Sequence, residues 1–253
     1  MKMHILSGGR LRMRKSIYLP DADRSETIEL PVSSALLRDG RGNVLFDTGC
    51  HPSVVKDAAA RWGGLAKLIE PIMGPDDNVI AGLAALGFEP DDIDVVVCSH
   101  LHPDHCGCNQ FFTKATVMVH ARELEAARTA DAPTRGYVTA DWDHPLRIES
   151  VTGERDLYDD GRIVIIPLPG HTPGMLAALV TLPHTGAVLL ASDTVSLRAH
   201  LDTGILPKNT WNADALAKSL DEVRRIEAGG ATVICGHDAA QWASLRKGAD
   251  AYD

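Results

Sequence analysis

A cluster of metal-binding side chains directly after an apolar run is the feature that most constrains this chain. Residues 94–99 read Asp-Val-Val-Val-Cys-Ser, a short β-branched run that predicts a buried strand. Residues 100–105 follow at once and read His-Leu-His-Pro-Asp-His. Imidazole nitrogens and carboxylate oxygens suit Zn²⁺ and neighbouring divalent ions, and four such side chains within six residues are rare in a solvated turn. The spacing therefore predicts a metal site at the end of a strand.

The proline inside this cluster predicts its shape. Pro103 lacks a backbone N–H and has a fixed φ, so the stretch is expected to be a loop rather than a helix. A tight loop can direct His100 and His102 to one side and Asp104 and His105 to another. Two adjacent metal positions are the expected result.

The chain as a whole alternates predicted strands with predicted helices. Strands are expected at residues 28–37, 44–47, 94–99, 117–120, 163–167, 176–182, 187–191 and 232–235. Helices are expected at residues 53–61, 78–86, 121–128 and 212–228. The basic group at residues 10–15 predicts a solvated loop or an edge strand, and residues 129–145 predict a functional loop over a site. No linker composition interrupts the chain, so one domain over residues 1–253 is expected.

The pattern His-x-His-x-Asp-His resembles the signature of the metallo-β-lactamase superfamily, and four further motifs support the likeness. In chain order, the five motifs are Leu45-Phe-Asp-Thr-Gly49, His100 to His105, Gly170-His-Thr-Pro-Gly174, Ser192-Asp-Thr194 and Gly236-His-Asp238. The resemblance implies an α/β fold of the αββα sandwich type. In this fold two mixed β-sheets pack face to face, with helices outside.

The resemblance also implies a set of metal ligands. One ion is held by His100, His102 and His171, the other by Asp104, His105 and His237, with Asp193 as the bridge between them. Asp47 is expected to support the ligand loop from behind. The cofactor is expected to be two divalent metal ions, Zn²⁺ first, with Mn²⁺, Co²⁺ and Fe²⁺ as alternatives.

A paired metal site of this kind predicts hydrolysis. Two divalent ions ~3.5–4 Å apart can lower the pKa of a shared water towards ~7 and polarise a carbonyl group. Asp104 and Asp193 are the candidates to relay a proton. No serine nucleophile is required, and the chain lacks the Gly-x-Ser-x-Gly motif of serine hydrolases.

Three segments resemble one branch of the superfamily, the quorum-quenching N-acyl-homoserine lactonases and pyridoxolactonases. These segments are Leu30-Pro-Val32, residues 88–95 and Gly236-His-Asp238. Lactonases of this group commonly carry a tyrosine three residues after the bridging aspartate, whereas this chain has Ser196 there. The serine hydroxyl has a much shorter stem, so Tyr137 and His200 are the candidates to replace the tyrosine.

The favoured function is therefore that of a lactonase that opens a small cyclic ester. The alternative is hydrolysis of another ester, a thioester or a β-lactam on the same paired metal site. A non-enzymatic metal-binding protein is the third hypothesis. The expected partner is a small-molecule lactone or ester substrate, and the expected assembly is a monomer or a homodimer.

Charge and hydropathy argue against nucleic-acid and membrane functions. The net charge is −9 at pH 7, and no long run of Lys and Arg is present. No apolar stretch approaches the ~20 residues that span a bilayer, and residues 1–10 lack the apolar core of a signal peptide. A cytoplasmic location is expected.

Three segments are candidates for the wall of a substrate pocket, namely residues 10–28, 62–78 and 129–145. Trp62, Trp142 and Trp211 could add apolar surface there, although ordinary core packing is the expected role of each. Cys106 and Cys108 have no second cysteine pair to complete a metal site. They are expected to be buried thiols beside the site rather than ligands.

Overall fold

Two mixed β-sheets form the centre of the computed structural model, which describes all 253 residues. The first sheet has seven strands in the order β4-β1-β2-β3-β5-β6-β7, and the second has five in the order β12-β11-β10-β9-β8. The strands of the first sheet are β1 (Lys2–Arg14), β2 (Thr27–Asp39), β3 (Gly42–Phe46), β4 (Glu70–Pro71), β5 (Val95–Val97), β6 (Thr116–His120) and β7 (Arg147–Val151). Those of the second are β8 (Arg155–Asp156), β9 (Ile163–Pro167), β10 (Leu176–Leu182), β11 (Gly186–Ser192) and β12 (Thr232–Cys235). Parallel pairs join β3 to β5, β5 to β6, β6 to β7 and β11 to β12, and the remaining pairs are antiparallel.

The apolar core between the sheets explains why they pack face to face. Successive strand residues point to opposite faces, so alternate positions of each strand face the other sheet. Leu37 and Val97 of the first sheet and Ile165 and Leu190 of the second belong to one cluster of 18 buried residues. Burial of each such side chain contributes roughly 1.5–3 kcal/mol, so this layer is a main source of stability.

Nine α-helices flank the two sheets. They are α1 (Lys15–Tyr18), α2 (Val54–Trp62), α3 (Val79–Ala85), α4 (Pro103–Cys106), α5 (Ala121–Ala127), α6 (Thr139–Trp142), α7 (Arg198–Thr203), α8 (Ala213–Ala228) and α9 (Ala239–Ser244). Leu83 of α3 packs in one cluster with Val96 and Val117 of the first sheet. Leu220 of α8 packs in another with Leu189 of the second sheet. The predicted αββα sandwich is confirmed.

The first strand is longer than the sequence pattern indicated. Arg10, Arg12 and Arg14 alternate with the buried Leu11 and Met13, so the basic group lies on one face of β1. The edge-strand alternative is therefore close to the observed structure, since only the two-residue β4 lies outside β1. The earlier half of β1 was not predicted. A register shift between Ser7 and Gly9 interrupts its alternation there.

The prediction that the Pro103 stretch is a loop was wrong. Residues Pro103–Cys106 form one helical turn, α4, with the proline at its first position. The missing N–H of proline costs nothing at that position, and its fixed φ suits the helix. The backbone N–H groups of His105 and Cys106 both donate to the carbonyl of His102 at 3.0 Å.

The strand ends bring the five motifs together. Asp47 follows β3, His100 follows β5, His171 follows β9, Asp193 follows β11 and His237 follows β12. Each of these polar residues lies within four residues of the end of its strand. The prediction that residues 1–253 form one domain stays a prediction, supported by a backbone bridge between Met3 and Tyr252.

A contact between two glycines fixes the turn that follows β3. A Cβ atom added to Gly49 would lie 2.4 Å from the Cα atom of Gly8, and Gly49 has a φ of 69°. The neighbouring Cys50 N–H donates to the Gly8 carbonyl at 2.7 Å, and the Thr48 N–H donates to the His105 carbonyl at 2.7 Å. The turn is thereby held between β1 and α4.

None of the helices combines the length and the apolar character that crossing a membrane requires.

Substitution of Gly49 by alanine should lower the free energy of unfolding by about 3 kcal/mol or more, because a left-handed φ and a backbone overlap add together. The matched control is Gly87→Ala, since Gly87 has a φ of 79° but open space around it. The control should lose only about 1–2 kcal/mol. Denaturant unfolding measures both values, and equal losses would show that the contact with Gly8 is unimportant.

Candidate dinuclear metal centre

Three imidazoles meet at the first half of the centre. The Nδ1 atom of His102 lies 3.1 Å from the Nε2 atom of His100 and 3.1 Å from the Nε2 atom of His171. His100 and His171 are almost fully buried. Together the three nitrogens form a group that can hold one metal ion.

Two imidazoles and a carboxylate meet at the second half. The Nε2 atoms of His105 and His237 are 3.4 Å apart. The Oδ2 atom of Asp104 lies 3.6 Å from the former and 3.7 Å from the latter. These three residues form a second group that can hold an ion.

The carboxylate of Asp193 lies between the two halves. Its Oδ2 atom is 3.3 Å from the Nε2 atom of His171, and its Oδ1 atom is 2.9 Å from the Nε2 atom of His237. Oδ1 is buried, and it accepts no hydrogen bond when His237 is neutral with its proton on Nδ1. A buried carboxylate oxygen without a donor is costly, and a bound cation would remove that cost. The residues present therefore fit a pair of divalent ions.

Outward hydrogen bonds fix the tautomers of two imidazoles. The Nε2 atom of His102 lies 2.9 Å from the carbonyl oxygen of Arg135, and the Nδ1 atom of His237 lies 3.0 Å from that of Pro31. A carbonyl oxygen only accepts, so each of these nitrogens carries the proton. In the neutral ring the other nitrogen, which faces the centre, then presents a lone pair.

A buried carboxylate supports the second half from behind. Asp47 accepts hydrogen bonds from Ser99 N at 2.7 Å, from Ser99 Oγ at 2.8 Å and from Ser192 Oγ at 3.2 Å. Its Oδ2 atom lies 2.9 Å from the Nδ1 atom of His105. Ser99 Oγ gives its hydrogen to Asp47 and can therefore accept from the Nδ1 atom of His100 at 3.0 Å. Asp47 and Ser192 have φ values of 59° and 46°, so the backbone is strained where this network forms.

Burial keeps the imidazoles of the first half neutral. It lowers the pKa of His102 to about 3 and lowers the pKa of His171. Burial and the neighbouring imidazole of His105 hold the pKa of His100 well below its usual value. Neutral rings are the form that binds metal.

The carboxylates reverse this effect in the second half. Burial lowers the pKa of His105, but the charges of Asp104, Asp47 and Asp193 outweigh it and raise the pKa to about 10. Burial also lowers the pKa of His237, but the charge of Asp193 outweighs burial and raises this pKa. The second half therefore favours positive charge, which a divalent ion would supply in place of these protons.

A fully buried glutamate, missed by sequence reasoning, ties two ligand loops together. Glu123 accepts hydrogen bonds from the N–H of Leu101 at 3.1 Å and from the N–H of Gly174 at 3.0 Å. Leu101 lies between two imidazoles, and Gly174 follows His171 by three residues. Burial raises the pKa of Glu123. The residue lies in an Ala- and Glu-rich helix, and its composition gives no sign of which glutamate turns inward.

A cavity of about 530 Å³ opens over the centre and includes His102, Asp104, His171 and Asp193 in its wall. The three segments predicted as pocket walls all contribute. Their lining residues are Met13, Ile17 and Tyr18; Leu65, Leu68 and Ile69; and Thr134, Arg135, Gly136 and Tyr137. Residues Lys208, Asn209, Thr210 and Trp211 form a further wall segment, of which only Trp211 was a candidate. Trp62 and Trp142 are buried in the core instead.

Comparisons with known proteins agree with this geometry. The sequence pattern of the Metallo-beta-lactamase superfamily matches residues 27–237. The chain belongs to this superfamily. The family prediction is confirmed, and membership together with the two ligand groups indicates binding of divalent metal ions.

Within the superfamily, several proteins similar to this chain are named as lactonases. The N-acyl homoserine lactonase AttM of Azorhizobium caulinodans is 32% identical over 260 residues, covering 100% of this chain and 99% of that protein. AttM of Agrobacterium fabrum is 32% identical over 265 residues, covering 100% and 98%. A solved N-acyl homoserine lactone hydrolase, with the product N-hexanoyl-L-homoserine at its catalytic metal centre, superposes with a TM-score of 0.90. It is 25% identical, and the match covers 99% of this chain and 98% of that chain.

Tyr137 lines the cavity, but its hydroxyl is turned away from solvent. Its ring lies 5.2 Å from the ring of His102. The hydroxyl is buried without a hydrogen-bond partner. Burial and the nearby charge of Glu123 raise the pKa of Tyr137.

Ser196 and His200 are buried outside the residues that line the cavity. The Oγ atom of Ser196 has no hydrogen-bond partner. The backbone carbonyl of Ser196 accepts from the N–H of His237 at 2.9 Å. The Nε2 atom of His200 lies 2.9 Å from the carbonyl oxygen of Tyr18. The catalytic roles of Ser196, Tyr137 and His200 stay predictions, and neither Ser196 nor His200 is placed to touch a ligand in the cavity.

Tyr18 is a cavity residue that no sequence motif singled out. Its side chain is almost fully buried, and its ring centroid lies 6.3 Å from that of His237. Burial and the charges of Asp193 and Asp104 raise its pKa well above the usual value. Its only sequence signal was its position inside the segment predicted as a pocket wall.

The cysteines have the expected structural role. Cys106 and Cys108 are fully buried, and the Cys108 thiol donates to the Cys50 carbonyl at 3.3 Å. Burial raises the pKa of both, so they remain thiols. The prediction that these thiols are buried is confirmed.

Substitution of Asp47 by asparagine should weaken metal binding in the second half by about 10–100-fold, because one amide cannot accept all four hydrogen bonds. Competition with a chromophoric chelator measures the affinity. Asp94→Asn is the matched control, since Asp94 accepts from the N–H of Asn43 at 2.8 Å and precedes β5 rather than following it. A similar loss in both variants would contradict the supporting role of Asp47.

Substitution of Gly236 by alanine should leave the chain unable to hold two equivalents of metal. The added Cβ would lie 2.6 Å from the Oδ1 atom of Asp193 and 2.9 Å from the Ser192 backbone, so the shared carboxylate would be displaced. Elemental analysis after reconstitution gives the stoichiometry, and circular dichroism checks the fold. Gly153→Ala, which has open space, should still bind two equivalents. Full binding by a folded Gly236→Ala protein would disprove the close approach.

Proposed function

We propose that this chain is a dinuclear metal-dependent lactonase that opens small cyclic esters of the N-acyl homoserine lactone type. The observation that carries the proposal is the shared carboxylate of Asp193 between two ligand groups at a cavity wall. The full-length similarity to curated N-acyl homoserine lactonases supports the substrate class. Opening such a lactone would remove a signalling molecule, a process called quorum quenching.

The proposed metal sites use the residues that the geometry brings together. One ion would be held by His100, His102 and His171, the other by Asp104, His105 and His237, with Asp193 between them. Five imidazoles and two carboxylates suit Zn²⁺, while Mn²⁺, Co²⁺ and Fe²⁺ are compatible alternatives. When bound, a pair of such ions supplies Lewis acidity and hydroxide at neutral pH.

The proposed reaction adds one water to the lactone. A new bond forms between the water oxygen and the carbonyl carbon, and the bond from that carbon to the ring oxygen breaks. One proton of the water ends on the ring oxygen, which becomes a hydroxyl group. The new carboxylic acid ionises at neutral pH, so each turnover releases one proton.

Asp104 is the better placed of the two predicted proton relays. Its Oδ2 atom faces His105 and His237, while its side chain keeps 12% exposure in the cavity wall. The Asp193 side chain is 4% exposed and faces both ligand groups. We therefore assign to Asp104 the transfer of a proton towards the ring oxygen, with Asp193 as a fixed bridge.

The cavity walls suit an acyl chain. A volume of about 530 Å³ is in the usual range for small-molecule sites. Its apolar side comes from Met13, Ile17, Leu65, Leu68 and Ile69. These side chains would exclude water from an aliphatic chain while the lactone ring lies at the metal ligands.

One observation favours a second candidate function, hydrolysis of another ester, a thioester or a β-lactam. Ser196 occupies the position where the expected lactonase tyrosine would be, and it does not line the cavity. A non-enzymatic role is less well supported. Four of the ligand residues open onto a cavity, whereas structural metal sites are closed. A monomer or a homodimer stays a prediction.

The metal-loaded protein should open N-hexanoyl homoserine lactone with release of acid, as followed by a pH indicator. A chelator should abolish the rate, and Zn²⁺, Mn²⁺ or Co²⁺ should restore it, since water is not activated without the ions. His171→Ala should reduce the rate by about 100-fold or more. His184→Ala is the matched control, because His184 is exposed and lies outside both ligand groups.

An acyclic ester, a thioester and a β-lactam belong in the same assay. A rate on any of them above the rate on every lactone would favour the second candidate. Failure of the reconstituted protein to act on all four classes would remove the proposal of hydrolysis.

A further inference from the structure

The segment after Asp193 lacks the hydroxyl donor that a lactonase is expected to have there. A lactone carbonyl gains negative charge as it is attacked, and an aimed hydroxyl donor stabilises that charge. Ser196 cannot be this donor, because its Oγ atom is buried outside the cavity lining. The proposed lactonase therefore needs another hydroxyl donor in the cavity wall.

Tyr18 brings a hydroxyl to the cavity from a different part of the chain. It is the last residue of α1, which follows directly on β1. It shares the cavity wall with Asp104 and Asp193. Its ring meets that of His237 edge to face, with centroids 6.3 Å apart. The phenol therefore lies beside the ligands of the second half.

The hydroxyl of Tyr18 donates no hydrogen bond to a nitrogen or oxygen atom of the protein. It donates to the Sδ atom of Met13 at 3.6 Å, and a thioether is a weak acceptor. The side-chain amide of Asn209 lies beside the same oxygen and lines the same cavity. A tyrosine hydroxyl is protonated at neutral pH, so it can donate to a ligand oxygen in the cavity.

The backbone around Tyr18 is held in place by the segment that follows Ser196. The Nδ1 atom of His200 accepts from the Leu197 N–H at 3.4 Å, so its Nε2–H donates to the Tyr18 carbonyl at 2.9 Å. The rings of Tyr18 and His200 stack with an interplanar angle of 5° and centroids 6.4 Å apart. The N–H of Lys208 donates to the Ile17 carbonyl at 2.7 Å. Such support keeps a donor aimed before the substrate binds.

We propose that Tyr18 donates a hydrogen bond to the carbonyl oxygen of the substrate, and that His200 is the residue that positions it. The proposal rests on the lactonase function. No proton is transferred from Tyr18, which stabilises the oxygen only as its negative charge grows. The hydroxyl thus takes the place that a tyrosine at position 196 would fill.

Tyr158 provides the matched control, because it lies outside the cavity lining and packs against the core between the sheets. Removal of its hydroxyl changes the same atom at the same type of residue, away from Asp104 and Asp193. Tyr137 lines the cavity with its hydroxyl buried near Glu123, so Tyr137→Phe tests the rival donor.

The first experiment measures turnover, metal content and product affinity of the three variants after reconstitution. Tyr18→Phe should keep two equivalents of metal and lose about 10²–10³-fold in kcat. Calorimetry with the ring-opened product N-hexanoyl homoserine should show about tenfold weaker binding to Tyr18→Phe, the effect of one lost hydrogen bond. Tyr158→Phe should stay within about threefold of wild type in each measurement, and Tyr137→Phe should lose less kcat than Tyr18→Phe.

The second experiment tests whether His200 acts through Tyr18. His200→Leu should lower kcat more than it raises KM, and His200→Gln should recover part of the loss because its amide can donate to the same carbonyl. Added to Tyr18→Phe, the His200→Leu change should cost almost nothing further, since coupled residues are not additive. Full additivity in the double variant would remove the positioning role.

The outcomes separate the two levels of the proposal. A wild-type protein that opens no lactone overturns the lactonase function, and the donor role with it. An active wild type with an equally active, metal-loaded Tyr18→Phe variant overturns the donor role alone. A loss in Tyr137→Phe in place of Tyr18→Phe assigns the donor to Tyr137 and equally rejects the proposal.

Discussion

The shared carboxylate of Asp193 is the interaction on which both halves of the centre depend. Burial of a carboxylate costs several kcal/mol unless partners compensate for it, and here imidazoles of both ligand groups face it. Asp193 follows β11 of the second sheet, whereas His100 follows β5 of the first. The centre therefore forms only when the two sheets pack against each other in the observed alignment. The apolar core between them thus also sets the positions of the candidate metal ligands.

The proton arrangement explains how this polar centre is tolerated inside the protein. His102 and His237 direct their N–H groups outward to backbone carbonyls, and the Nδ1 atom of His105 faces Asp47. When His105 and His237 are neutral, as metal binding requires, the inner surface of the centre consists of lone pairs and carboxylate oxygens. The backbone of Asp47 is strained, and this conformation places its carboxylate beside His105.

The sequence predicted the parts of the molecule that local patterns encode. His100 to His105 are adjacent in the chain, so a short window was sufficient to predict a metal site there, whereas the resemblance to the superfamily implied the more distant candidate ligands. Glu123 and Tyr18 were missed because only tertiary contacts decide which glutamate of α5 turns inward and which pocket-wall residue reaches the centre. The first half of β1 was missed because its register shift hides the alternation, and α4 because proline is tolerated at a first helical position.

The cavity wall has a consequence for how such enzymes diversify. The segment that contributes Leu65, Leu68 and Ile69 contains no metal ligand, and neither does the segment around Trp211. Insertions or exchanges in these surface segments would alter the shape of the cavity wall while the strand ends keep the candidate ligands in place. Under the proposed function, part of the surface that meets the substrate tail is thus encoded apart from the candidate ligands and can change without disabling them.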